Sequence, residues 1–226
     1  MTAPQWPAFY ESVASAILTF VDDRHKLFDK IQALAARTTL MDYLKLDNPE
    51  FWETRGYEID PFTIMGVFNR AVTVSHRQSL AKKIAKAVGA VDSEPPEIFH
   101  GIPYLDPRHS IFSGPEEMWN LAAVARSDAP WQDAFVFAWD KALELKGNGA
   151  SMLSIGLFWW NPVSFMALDK ISEPWIESRY EIEIPHDKFD GDRYVKFLKE
   201  LREKTGDISW AEISLEAWQN AKEKKE

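Results

Sequence analysis

The sequence predicts a mainly α-helical fold in one large domain, and three observations carry that prediction. Apolar residues recur at helical spacing through most of the chain. Pro, Asp, Asn, Ser or Thr starts and Gly stops bracket those stretches. One short stretch, 179–185, alternates as a strand does and is the best candidate for a minor β element. With 226 residues, 46% hydrophobic and 13% aromatic, the chain is long and apolar enough to bury a substantial core. The expected organisation is a helical domain over 1–205, followed by a short amphipathic segment and charged linker over 206–226.

Taken in order, 6–21 reads as a helix. Pro7 suits its first turn, and Phe9, Val13, Ala16, Ile17 and Phe20 share one face. Asp22-Asp23 breaks it and caps a second helix on Leu27, Ile31 and Leu34. Thr38 or Thr39 caps a third, 40–46. Asn48-Pro49 and Asp60-Pro61 open two more, the second running through 62–70 around Gly66. Ser75 is expected to cap 76–88, whose stripe is Leu80, Ile84 and Val88, with Gly89 as its stop. The stretch 92–114, with Pro95, Pro96, Pro103 and Pro107, reads as a long loop of the kind that serves as a lid or binding loop. Helices follow over 115–126 and 130–146.

The stretch 151–169 (SMLSIGLFWWNPVSFMALD) holds one charge, Asp169, and reads as a core hairpin. Its first half is a buried helix or a buried strand. Asn161-Pro162 is expected to open a helix over 163–168. A helix over 190–204 and a last short amphipathic piece over 207–220 complete the chain.

Charge is uneven. The net charge is −9, which argues against a uniformly cationic nucleic-acid binder, yet 61–90 contains no Asp or Glu and carries Arg70, Arg77, Lys82, Lys83 and Lys86. Such a segment fits either a localised anion-binding face or a basic helix paired against acidic neighbours. The absence of cysteine excludes disulfides and thiolate zinc sites and suits a reducing compartment. No secretory signal and no membrane-spanning run is recognisable, so a cytoplasmic protein with no membrane partner is expected.

Catalytic motifs are scarce. There is no Walker A loop, GxGxxG or GxSxG. His100, Asp106 and His109 are better read as loop residues than as a metal site, and Glu144-Leu145-Lys146 as a helix end than as a nuclease motif. No catalytic residue, metal or cofactor is therefore expected. One constellation has the residue types of DNA recognition. Arg70, Thr73, Arg77, Lys82, Lys83 and Lys86 suit phosphate contacts, while Phe68, Asn69, Trp159 and Asn161 suit stacking on a base and reading its edge.

Four separate segments then point to a family. They are 59–73 (IDPFTIMGVFNRAVT); 101–105 (GIPYL) with Ser110-Ile111-Phe112; Lys146-Gly147 leading to 154–162 (SIGLFWWNP) and on to Phe165, Leu168 and Asp169; and 213–218 (ISLEAW). In order and spacing the chain resembles the N-terminal regions of McrB-like restriction-system AAA+ ATPases. The resemblance implies a DNA-recognition domain that reads modified or marked DNA, joined to a nucleotide-hydrolysing motor that recruits a nuclease subunit. No motor is present in this sequence. The expected function is thus a DNA-specificity domain with DNA, a motor domain and a nuclease subunit as partners. The alternatives are a protein-interaction domain docking such a subunit, and a helical glycosylase-like enzyme using Asp169.

Overall fold

Side-chain caps set several of the helix starts. In the computed structural model, which describes residues 4–35, 43–67, 69, 73–90, 93–97, 99–105, 111–184 and 189–224, α1 spans Trp6–Leu18 and α2 Arg24–Ala35. α3 (Pro49–Glu53) is capped by Asn48, whose side chain accepts from the Phe51 N–H at 3.0 Å. α4 (Pro61–Val67) starts at Asp60, which accepts from the Thr63 N–H at 2.8 Å. α5 (Val74–Val88) is capped by Thr73, two residues ahead of the expected Ser75, and stops at Gly89 with φ 99°, a left-handed conformation glycine adopts freely. α6 (Pro115–Val124), α7 (Asp133–Glu144), α8 (Ala150–Trp160), α9 (Ser172–Tyr180), α10 (Gly191–Thr205) and α11 (Trp210–Glu223) follow. The expected start of a third helix at 38–42 and the last three positions of 62–70, apart from Asn69, lie outside the described residues.

α8 is the centre. Every residue from Met152 to Trp160 is buried. It packs on α1, α4 and α7, while α5 lies against α1 and α2, and α9 packs on α10 and α11. The segments that carry the family resemblance converge on it. A Cβ at Gly156 would stand 3.0 Å from the Phe62 ring and 3.1 Å from that of Phe112, so the glycine is what lets α4 and the 111–114 segment approach. The Trp159 indole donates to Pro103 O at 2.8 Å. Ser214 donates to Gly101 O, and a Cβ at Gly101 would meet the Leu215 backbone at 2.6 Å. These segments are the inner scaffold of the fold.

Three expectations change. The fold is all-α: no strand occurs among the described residues. Arg179 and Tyr180 end α9. In 181–184 the two isoleucines, Ile182 and Ile184, are buried and the two glutamates are exposed, so the alternation reports burial, but no neighbouring strand is there to pair. The carbonyls of Tyr180 and Glu181 accept instead from Lys204 Nζ at 2.7 and 2.8 Å. The helix expected at 163–168 does not form. Asn161 caps the end of α8, and its side-chain oxygen accepts from Ser164 N at 3.2 Å, closing an Asx turn. The chain then returns extended along α8, held by the Leu168 N–H donating to Ser154 Oγ at 2.9 Å and by the Ser151 hydroxyl on Leu168 O. Finally, 206–226 is not a separate segment over its length. Trp210, Ala211 and Ile213 belong to the same core cluster as α8.

A buried ion pair sits beside α4. Asp60 is fully buried, bonds Thr63 and pairs with Arg55 at 3.4 Å, while Arg55 lies over the Phe51 and Trp52 rings at 5.5 and 5.4 Å. Burial pushes the Asp60 carboxyl above its ordinary range, and the Arg55 charge opposes the shift.

Candidate nucleic-acid interface

α5 separates apolar from cationic positions. Leu80, Ala81, Ile84, Ala85 and Val88 are buried toward α1 and α2, which obliges Lys82, Lys83 and Lys86 to face outward. Among the described residues, no carboxylate forms an ion pair with Lys83 or Lys86. Lys82 differs, because its Nζ contacts both oxygens of Glu94 at 2.9 Å. Thr73 stands exposed at the N-terminus of α5 and accepts from His76 N at 3.3 Å. Arg77 is half-buried on the first turn, and its charge acts on Tyr10. Arg70 and Phe68 lie outside the described residues.

The residues expected near a base are not brought to this ridge. Asn69 is buried, taking the Tyr10 hydroxyl on its side-chain oxygen and donating to Met65 O at 2.9 Å. Burial pushes the Tyr10 phenol far above its ordinary value of 10.0, against the pull of the Asn69 bond and the Arg77 charge. Trp159 is fully buried with its N–H committed to Pro103. Asn161 donates to Ala125 O at 2.8 Å while its oxygen closes the Asx turn. Asn69 thus ties α4 to α1, while Trp159 and Asn161 tie α8 to the 99–105 segment and to the end of α6. Among the described residues, none of those expected at a base stands beside the phosphate-type surface of α5.

The other candidates are likewise engaged locally. Asp169 accepts from the N–H groups of Ile171 and Ser172 at 2.9 and 2.6 Å, serving the start of α9. Glu144 pairs with Lys141 at 3.0 Å. His100 stacks on Trp218 with ring centroids 4.4 Å apart, whereas Asp106 and His109 lie outside the described residues. No pattern in the sequence marks Glu94 and Gln78 as neighbours of the ridge. Glu94 meets Lys82 and Gln78 meets Pro96 O only because folding lays the 93–97 segment along α5.

A second surface feature lies at the α6–α7 connection. A groove of about 400 Å³ is lined by Ala129, Pro130, Trp131, Gln132, Val163 and Ser164. Trp131 stacks on Trp210 at 5.9 Å, and Arg202 lies 4.5 Å over Trp210 while donating to the carbonyls of Val163 and Ile208 at 3.2 Å each. Val163 is 63% and Ile208 40% exposed.

Fold and surface together define a single-domain, all-α protein with one cationic helix ridge on an acidic body. Residues 6–220 match the family described as Domain of unknown function (DUF8425), and the chain belongs to that family. No curated protein and no solved structure matches the chain. No helix among the described residues is long and apolar enough to cross a membrane.

Proposed function

We propose that this chain is a non-catalytic DNA-binding domain that holds the phosphate backbone on the α5 ridge. Within that reading it serves as the specificity domain of a McrB-like, modification-dependent defence system in the cytoplasm, alongside a motor domain and a nuclease subunit. The observation that carries it is the pair Lys83 and Lys86, exposed and without an ion-pair partner among the described residues, within a 30-residue stretch (61–90) free of acid in a chain of net charge −9. Exposed lysines without a nearby carboxylate create a local positive potential on an otherwise acidic surface, and that is where an anion would be drawn. The four-segment resemblance supports the DNA assignment. Because those segments form the inner scaffold, they speak for kinship of fold and leave the target open.

The test is fluorescence anisotropy with unmodified, 5-methylcytosine, 5-hydroxymethylcytosine and N6-methyladenine duplexes and single-stranded DNA at two salt concentrations. Binding that weakens with salt is expected, and the triple change of Lys82, Lys83 and Lys86 to Glu weakens it at least ten-fold for every duplex. It also flattens the dependence of log K on log salt by about 0.9 per lost phosphate contact. Unchanged affinity in the triple variant overturns the assignment.

The groove beside Trp131 favours a second reading, a protein-docking domain. Exposed Val163 and Ile208 flank a rigid Arg202–Trp210–Trp131 stack, and aromatic and Arg groups are those that anchor protein interfaces. A tight complex with a motor or nuclease subunit, together with no DNA affinity, would establish that reading instead.

A further inference from the structure

The 93–97 segment (SEPPE) lies along α5 and is fastened to it and to α1 by side chains. Ser93 donates to Ser12 on α1. Glu94 takes Lys82 Nζ between its two oxygens, at 2.9 Å each. Gln78, one turn before Lys82, donates to Pro96 O at 2.9 Å. The segment therefore runs antiparallel to α5, from the level of Lys82 toward the helix N-terminus at Thr73. It carries two carboxylates, Glu94 and Glu97, both exposed. Pro95 and Pro96 have no N–H to donate and keep it extended, so few backbone bonds hold it down.

A carboxylate set on a lysine in this way presents the same pair of oxygens that a DNA phosphate would present. We infer that this segment is a built-in competitor for the ridge, with Glu94 occupying on Lys82 the place of a backbone phosphate. The inference rests on the phosphate-binding reading of α5 and names what regulates that site. Lys82 then contributes little to DNA binding until Glu94 leaves. Its ion pair is open to solvent, with side-chain exposures of 64% and 72%, and such pairs are weak, so the displacement sets a modest threshold.

The experiment is a double-mutant cycle on the full chain, read by anisotropy with an unmodified 20-base-pair duplex over a salt series. Glu94→Gln raises affinity about two- to five-fold and steepens the salt dependence by about 0.9, the slope of one added phosphate contact. Lys82→Gln alone changes affinity less than Lys83→Gln, and in the Glu94→Gln background it removes the gain. Glu203→Gln makes the same change in net charge on α10 and is the control for a general charge effect. If Glu203→Gln raises affinity as much as Glu94→Gln, or if the gain survives Lys82→Gln, the competitor is overturned. If Lys83→Gln weakens binding while Glu94→Gln leaves affinity and slope unchanged, the competitor is overturned and the ridge stands. Indifference of DNA binding to every lysine variant overturns both.

Discussion

α8 and α5 are both ordinary helices by length, 11 and 15 residues, and they do opposite work. α8 is apolar on every side and buried along nine consecutive residues, so it has no surface to offer a ligand. α5 buries five of its fifteen residues and turns Lys82, Lys83 and Lys86 outward. Around α8, indole N–H groups fasten the elements together: Trp159 bonds Pro103 O in irregular chain and Trp160 bonds Ala122 O on α6, and, further out, Trp119 bonds Ile59 O and Trp139 bonds Phe189 O. The lesson is about where evidence of function is to be sought. The most conspicuous residues of this sequence, the adjacent tryptophans with Asn161, are engaged in stability. On α5, Lys83 and Lys86 stand exposed without an ion-pair partner among the described residues.

The largest expected effect tests the α8 side. Trp160→Ala removes a fully buried indole beside Phe62 and orphans Ala122 O, and is expected to cost about 3–5 kcal/mol in urea unfolding. A loss below about 1 kcal/mol would break the contrast, because α8 would then not be the energetic centre. Thr73→Ala sharpens the α5 side. It removes the cap bond to His76 N at an exposed helix end and should lower stability by about 1 kcal/mol while leaving the Lys83 and Lys86 positions unaltered.

The smallest effect is a pH dependence at the exposed end of α11. Ser209 and Glu212 form a capping box, and the bonds from the Ser209 hydroxyl and N–H hold the Glu212 carboxyl below its ordinary 4.5. A carboxylate depressed in the folded state stabilises fully above the ordinary carboxylate range and loses that contribution as pH falls through its folded value. Thermal midpoints of the wild type and Glu212→Gln should therefore differ slightly at pH 7 and converge near pH 3. A gap that widens toward acid would contradict the box.

How much of this was legible in the sequence follows from the range of each interaction. Caps at Asn48 and Asp60 and the stop at Gly89 are decided within four residues, and the pattern of residues located them. The outward placement of Lys82, Lys83 and Lys86 follows from the stripe of Leu80, Ile84 and Val88 by helical period alone. At Asn161-Pro162 the same local rule failed. A turn and two serine hydroxyls 14 and 17 residues away hold the return segment extended, and no local preference announces them. At 181–184 the alternation was right about burial and silent about pairing.

By itself, then, the sequence determined a mainly helical fold, its core-facing stripes and its acid-free cationic segment, because helix propensity, capping and periodicity act over a few residues. Tertiary structure alone decided that Trp159, Asn69 and Asn161 turn inward and that Glu94 reaches Lys82. It also decided that 210–217 joins the core. Each of those outcomes depends on groups far apart in the chain meeting in space, where desolvation leaves a buried polar atom no alternative to the partner that packing supplies.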